Sequence, residues 1–150
     1  MVQLVMTQEE KELLLKDLCG RLPYGVKCDV GDNILYTLDR IQIDYAGGHL
    51  LCFREQKNGL NMEVYLSEAK PYLVSMINVP EEQIYDFYCQ FVTNDIYFDD
   101  FVTDFWNTNS LHKVLTSIDD CERVVDWFNE KHIDYRGLIH KKLALELNIV

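Results

Sequence analysis

Residues 41–53 read Ile-Gln-Ile-Asp-Tyr-Ala-Gly-Gly-His-Leu-Leu-Cys-Phe, and this stretch decides the fold. Its first half alternates apolar with polar residues, which is the pattern of a strand with one buried face. Gly47-Gly48 follows, and adjacent glycines permit the positive φ of a tight hairpin turn. The residues after the turn, 50–54, again favour a strand. The stretch therefore predicts an antiparallel hairpin.

Similar short segments flank this hairpin on both sides. Alternating patterns cover residues 26–30, 34–38 and 62–66, with turn signals at Gly31-Asp32-Asn33 and Lys57-Asn58-Gly59. The connections are too short for the crossovers that parallel strands require. We therefore predict an antiparallel β-meander of four to five strands.

Helical patterns precede and follow the meander. Thr7 and Glu10 have the spacing of a capping box, and the helix after them has an apolar stripe formed by Leu14, Leu15, Leu18, Cys19 and Leu22. Pro80 and two glutamates predict a second helix, whose stripe consists of Ile84, Phe87, Tyr88 and Phe91.

The C-terminal part predicts further helices. Ser117 is a suitable cap for a third helix, which residues 132–134 end. A short final helix is expected to carry Tyr135, Leu138 and Ile139, and alternating leucines after it predict an added strand. The chain is thus predicted as one α+β domain over residues 1–150, with an N-terminal helix, the meander, and two to three C-terminal helices packed on the sheet.

Six apolar residues on these periodic faces are predicted to be buried: Leu15, Leu18, Ile43, Val64, Val125 and Phe128.

Composition points to a globular protein inside the cell. The chain has 150 residues, of which 48% are apolar, and this suffices for a core of its own. No apolar run approaches the roughly 18 residues of a membrane span, and the N-terminus lacks the features of a signal peptide. The cysteines are scattered and odd in number, which argues against a disulfide framework: Cys19, Cys28, Cys52, Cys89 and Cys121. We therefore expect reduced, mostly buried thiols and a cytoplasmic location.

The charge is strongly negative and unevenly placed. The net charge is −11, which argues against direct binding to nucleic acid, because that affinity comes mainly from Lys and Arg at phosphates. Between residues 80 and 130 the only basic side chains are Lys113 and Arg123. We therefore expect a partner with a basic surface.

Searches for catalytic and metal-binding motifs find no match. The chain has no phosphate-binding glycine loop, no nucleophile elbow and no Cys-x-x-Cys or His-Glu-x-x-His pattern. Four histidines have no ligand partner at a suitable spacing: His49, His112, His132 and His140. The sequence therefore predicts no cofactor, no metal site and no catalytic residue, and it argues against an enzyme.

The densest feature is the acidic and aromatic segment 84–106. It holds half of the aromatic residues, interleaved with aspartates, and interfaces are enriched in aromatic side chains. The candidate binding residues are Asp95, Asp99, Asp100, Asp104, Tyr97 and Trp106. The alternative is that the rings face the core while the carboxylates form a solvated rim.

A second hypothesis is a small enzyme whose site is assembled near the helix break at residues 132–136. Its candidate residues are His132, Asp134, Tyr135 and Arg136, because a helix N-terminus can gather polar groups. The alternative for this cluster is helix capping by Asp134 and a surface position for Arg136.

Two stretches carry a resemblance to known sequences. Residues 14–28 read Leu-Leu-Lys-Asp-Leu-Cys-Gly-Arg-Leu-Pro-Tyr-Gly-Val-Lys-Cys, and residues 126–139 read Asp-Trp-Phe-Asn-Glu-Lys-His-Ile-Asp-Tyr-Arg-Gly-Leu-Ile. Together they resemble a group of small uncharacterised proteins from anaerobic gut bacteria and their phages and mobile elements. The resemblance implies a cytoplasmic accessory protein and supplies no catalytic residues.

The leading functional hypothesis joins these observations. It is a non-enzymatic protein-binding module of a phage or mobile element, including the option of an acidic decoy that imitates DNA toward a DNA-binding protein.

Overall fold

A computed structural model of the chain describes residues 5–55, 61–92, 96–107 and 121–147. Its α-helices are α1 (Gln8–Arg21), α2 (Glu81–Phe91), α3 (Phe98–Trp106) and α4 (Cys121–Glu130). Its strands are β1 (Lys27–Asp29), β2 (Tyr36–Ile43), β3 (His49–Glu55), β4 (Asn61–Tyr65), β5 (Lys70–Ser75), β6 (Ile133–Asp134) and β7 (Leu145–Glu146). Short 3-10 helices cover Leu22–Tyr24, Leu66–Glu68 and Met76–Asn78.

The chain packs as two compact units. Unit 1 contains residues 1–72 and 138–145, and unit 2 contains residues 73–137 and 146–150. Helix α1 and strands β1–β4 therefore belong to unit 1, whereas α2, α3, α4 and β6 belong to unit 2. A single domain over the whole chain stays a prediction.

The first helix begins as the sequence predicts. The Thr7 hydroxyl accepts a hydrogen bond from the Glu10 amide at 3.1 Å, and the Glu10 carboxylate accepts one from the Thr7 amide at 3.0 Å. This confirms the capping box. The predicted apolar stripe is only partly right, because Cys19 is exposed and the buried side of the helix includes Asp17 and Arg21.

Strands β1 to β4 form the predicted antiparallel meander. Each pairs antiparallel with the next along the chain. In the hairpin between β2 and β3, Gly47 has φ 81°, and the Asp44 carboxylate accepts from the amides of Ala46 and Gly48 at 3.0 and 2.6 Å. The predicted turn at 57–59 lies outside the described residues.

The two strands predicted over residues 34–38 and 41–45 are one strand, β2, with an irregularity between Leu38 and Arg40. Ile43 was predicted to be buried, and this is wrong, because its side chain is 73% exposed. It lies at the end of the strand beside the hairpin turn, where Tyr45 is exposed too.

The sheet is larger than predicted and is mixed. Hydrogen bonds order its strands β4-β3-β2-β1-β5-β6, and β7 also pairs with β5. Strand β5 is antiparallel to β1 and parallel to β6, with Val74 opposite Ile133. The prediction of a purely antiparallel sheet is therefore wrong. It rested on the short connections of the meander, whereas β5 and β6 are joined by residues 76–132, which is ample length for a crossover.

Unit 2 is built around an apolar cluster. It joins β5 and β6 with the inner sides of its helices: Val74, Met76, Val79, Ile84, Phe87, Phe91, Phe101, Val102, Phe105, Val124, Trp127, Phe128 and Ile133. The stripe predicted for α2 is confirmed at Ile84, Phe87 and Phe91, which are buried, while Tyr88 is partly buried. Helix α3 was not predicted.

The chain after α4 differs from the prediction. His132 adopts φ 56°, which ends the helix at the predicted place. Residues 135–144 form turns, so the predicted final helix is wrong, although Leu138 is buried. The added strand is confirmed as β7, after which the Leu147 amide donates to the Leu73 carbonyl at 2.7 Å.

Of the remaining predicted core residues, Leu18 and Phe128 are buried. Leu15, Val64 and Val125 are only half-buried.

Candidate functional site

The segment 84–106 divides its aromatic rings between the core and the surface. Phe87, Phe91, Phe101 and Phe105 are buried, as the solvated-rim alternative requires. Tyr85 and Tyr97 are not, with 55% and 82% of their surface exposed. We give the name acidic–aromatic face to the exposed rings and carboxylates of α2 and of the start of α3, together with the half-buried Phe98: Glu81, Glu82, Tyr85, Asp86, Tyr97, Phe98, Asp99 and Asp100.

A groove of about 530 Å³ opens on this face, lined by Pro80, Glu81, Glu82, Tyr85 and Phe98. The ring of Tyr85 meets that of Phe98 edge-on, with centroids 5.1 Å apart. The Tyr88 hydroxyl donates to the Ile96 carbonyl, which ties α2 to the residues just before α3. The lining of the groove thus combines two aromatic rings with two glutamates.

The hydroxyl of Tyr85 lies beside the thiol of Cys89, one helical turn away. The hydrogen bond between them raises the pKa of Tyr85. The ring of Tyr85 is 55% exposed, so its aromatic face is accessible to a cation.

The candidate residues predicted from the sequence lie in different settings. Asp99 and Asp100 are exposed in the first turn of α3, directly after Tyr97 and Phe98. Asp104 is half-buried. The indole nitrogen of Trp106 donates to the Val79 carbonyl at 3.0 Å, so this ring is anchored to the chain before α2. Asp95 lies outside the described residues.

Sequence reasoning missed Glu81, Glu82, Tyr85 and Phe98 as candidate site residues. For Tyr85 a signal existed, because the apolar stripe of α2 places its neighbours Ile84 and Phe87 inward and leaves position 85 facing outward. Phe98 had no such signal, since helix α3 was not predicted.

No positive charge of the sequence interrupts this region. Residues 71–112 contain no lysine and no arginine. Among the described residues of α2 and α3, the acidic side chains are Glu81, Glu82, Asp86, Asp99, Asp100 and Asp104, and none of them has a basic partner within 4.0 Å. The face therefore presents uncompensated negative charge.

The alternative site near residues 132–136 does not gather its residues around a helix N-terminus. Asp134 lies in β6 with its side chain buried, opposite Ser75. The Tyr135 ring stacks on Phe128, with centroids 5.3 Å apart, and the guanidinium of Arg136 lies over the Tyr135 ring at 4.6 Å. No helix follows these residues up to position 147, so the helix N-terminus that the enzyme hypothesis and the capping role of Asp134 assumed is absent from this part of the chain, and the enzyme hypothesis stays a prediction.

The cysteines were predicted to be mostly buried, and this holds for two of the four whose side chains are described. Cys28 and Cys52 are buried, whereas Cys19 and Cys89 are exposed. Burial, with the charges of Asp17 and Asp29, raises the pKa of Cys28 to about 12, so this thiol is protonated and unreactive at neutral pH. The side chain of Cys121 lies outside the description.

Within the described residues, no group of three or more His, Cys, Asp and Glu side chains has the arrangement of a metal site. In the same part of the chain, no helix combines the length and the apolar character needed to cross a membrane.

Comparison of the chain with protein-family models, with curated proteins and with solved structures finds no match.

Proposed function

We propose that this protein is a non-enzymatic, cytoplasmic accessory protein of a phage or mobile element, and that its acidic–aromatic face binds a basic surface of a partner protein. A DNA-binding protein is the partner class that this chemistry fits, since the surface it presents to phosphates is rich in Lys and Arg. The protein would then act as an acidic decoy for DNA.

The observation that carries the proposal is the exposure of Tyr85 and Tyr97 among carboxylates without a neighbouring cation. Carboxylates alone are typical of any solvated helix face. Rings on the same face add a surface on which a guanidinium can stack, and such contacts contribute about 0.5–1 kcal/mol each at exposed sites.

Arginine is the side chain that this combination recognises best. Its planar guanidinium forms bidentate hydrogen bonds to a carboxylate and stacks on an aromatic ring, whereas the lysine ammonium is a compact, strongly hydrated charge. A groove lined by Glu81, Glu82 and Tyr85 can offer both contacts to one arginine.

The first test uses peptides as probes. Fluorescence anisotropy would measure binding of an arginine-rich peptide, a lysine-rich peptide of equal charge, and duplex DNA, at several salt concentrations. We expect the arginine peptide to bind more tightly than the lysine peptide, its affinity to fall as salt rises, and DNA not to bind.

The variants for this test separate a specific face from net charge. Two double variants should each weaken binding of the arginine peptide several-fold: Asp99→Asn/Asp100→Asn and Tyr85→Ser/Tyr97→Ser. Glu122→Gln/Asp126→Asn is the matched control for the aspartate pair, because it removes two exposed charges from α4 of the same unit. Equal weakening by both charge variants, together with no effect of the tyrosine pair, would reject the face and leave only nonspecific attraction.

A capture experiment then addresses the partner class. The wild-type protein and the Tyr85→Ser/Tyr97→Ser variant would be incubated with a set of purified DNA-binding proteins, with duplex DNA as competitor. The decoy proposal expects DNA to displace the protein from its partner, whereas capture that DNA leaves unchanged would contradict it.

A further inference from the structure

Unit 1 contains a cleft that the proposed function does not use. It has a volume of about 760 Å³ and lies where the chain entering α1 meets β1, β4 and the start of β5. Small-molecule sites are typically clefts of about 300–1,000 Å³. We call it the lysine cleft, after Lys11 and Lys70 in its lining.

Part of the lining of the lysine cleft is apolar. This part includes Met6, Val30 and Val64, and all three are only half-buried. Val64 was expected in the core from its strand pattern, and it is partly exposed in the lining of this cleft. A ligand that removes apolar surface of this kind from water gains binding free energy of about 25 cal/mol per Å² of buried surface.

Three charged side chains also line the cleft, and they differ in their partners. The carboxylate of Glu68 accepts a hydrogen bond from the Tyr65 amide at 3.0 Å. The ammonium groups of Lys11 and Lys70, in contrast, have no carboxylate within 4.0 Å among the described residues. Both cations are therefore available to a ligand anion.

We propose that the lysine cleft binds a small amphipathic carboxylate, with its carboxylate at Lys11 and Lys70 and its apolar chain on Met6, Val30 and Val64. A lining that combines two cations with apolar side chains complements a molecule with one anionic end and one apolar end. An inorganic anion would leave the apolar side chains in water, and an uncharged chain would leave the lysines without a partner.

The test is a set of four probes that separate the two ends of the ligand. Isothermal titration calorimetry would compare decanoate, kept below the concentration at which it forms micelles, with acetate, decanol and decyltrimethylammonium. We expect saturable one-to-one binding of decanoate, and binding at least tenfold weaker for each of the other three. Equal binding of decanol, or no binding of decanoate, would overturn the proposal.

Variants locate the binding in the cleft. Lys11→Gln/Lys70→Gln should weaken decanoate roughly tenfold or more, because hydrogen bonds to charged groups are among the stronger polar contacts. Both side chains are exposed, so the fold should tolerate the change. Lys16→Gln is the matched control, since Lys16 is exposed on α1 and is absent from the cleft lining.

A second variant tests the apolar part of the lining. Val64→Thr keeps the shape of the side chain and adds a hydroxyl, so it should weaken decanoate without altering its carboxylate contacts. Circular dichroism would check that each variant is folded. Unchanged affinity in both Lys11→Gln/Lys70→Gln and Val64→Thr, or an equal loss in Lys16→Gln, would place the ligand elsewhere and reject the cleft. Neither result bears on the acidic–aromatic face, whose probes and variants are different.

Discussion

The two units bury different chemistry. Unit 1 encloses an ion pair between Asp17 and Arg21, both fully buried, with nitrogen–oxygen distances of 2.8 and 3.1 Å. It also encloses the thiols of Cys28 and Cys52. Unit 2 encloses an aromatic cluster in which the Phe87 ring lies 4.9–5.9 Å from five other rings. Unit 1 therefore adds a buried ion pair to an apolar core, whereas the core of unit 2 is rich in aromatic rings.

This difference predicts how each interior responds to change. A buried charge that loses its partner keeps the full free-energy penalty of its removal from water. Removing one member of a buried ion pair should therefore destabilise the fold more than removing both. When a ring of an aromatic cluster is truncated, the free energy of unfolding falls by an amount that rises with the volume of the cavity left behind. Substitutions in the two units should therefore show different patterns of additivity.

The largest expected effect concerns the aromatic cluster. Phe87→Ala should lower the free energy of unfolding by about 3–5 kcal/mol, because the cavity would face five rings. Tyr85→Ala is the control on the same helix, and its exposed ring should contribute about 1 kcal/mol or less. Urea denaturation would measure both, and similar losses for the two variants would contradict the assignment of Phe87 to the centre of unit 2.

In the ion pair of unit 1, the double variant should lose less stability than the sum of the two single variants. Arg21→Met or Asp17→Leu alone should cost about 3 kcal/mol or more, since each leaves a buried charge without this partner. The double variant should recover most of that loss, because both charges are gone. A double variant as unstable as the sum of the singles would show that the pair does not act as a unit.

The buried thiol of Cys28 should make unit 1 sensitive to alkali. Its pKa is raised to about 12 in the folded protein from a usual value of 9.0. Folding favours the protonated thiol of Cys28. The stability that this group contributes is therefore complete below pH 9 and is lost as the pH rises from about 9 toward 12. The slope from this single group is at most about 1.4 kcal/mol per pH unit.

Alkaline unfolding of Cys28→Val would test this prediction. The variant removes the titrating group at similar volume, and its stability should fall less steeply between pH 9 and 11 than that of the wild type. Identical slopes would mean that other groups dominate alkaline unfolding.

The smallest effect is expected at the exposed thiols. Cys19→Ser and Cys89→Ser should each change stability by less than about 0.5 kcal/mol. In a Cys121→Ser background, a thiol reagent should modify Cys19 and Cys89 rapidly, and Cys28 and Cys52 only after unfolding. Mass spectrometry after brief labelling would show the sites, and early modification of Cys28 would contradict its burial.

Local patterns predicted the elements whose neighbours in sequence are also neighbours in space. The capping box of Thr7 and Glu10, the hairpin at Gly47 and the stripe of α2 were all predictable, because each depends on residues a few positions apart. Phe87 and Phe91 could be assigned to the core in the same way.

The candidate site was predicted only in part. The sequence indicated Tyr97, Asp99 and Asp100 as a dense acidic and aromatic region, but it could not separate exposed rings from buried ones. Helix α3 was missed, and with it the groove between Tyr85 and Phe98, whose edge-on contact joins residues from two helices.

The sequence by itself determined the class of the fold, the starts of α1 and α2, the antiparallel meander and the negative charge of residues 71–112. These follow from periodicity, caps and composition, which are properties of a few adjacent residues. Only the tertiary structure decided the parallel pairing of β5 with β6, the burial of Asp17 with Arg21 and the exposure of Ile43. It also decided where the groove of the acidic–aromatic face and the lysine cleft lie. Each of these depends on which distant segments come together, and the free energy of those contacts is absent from any local pattern.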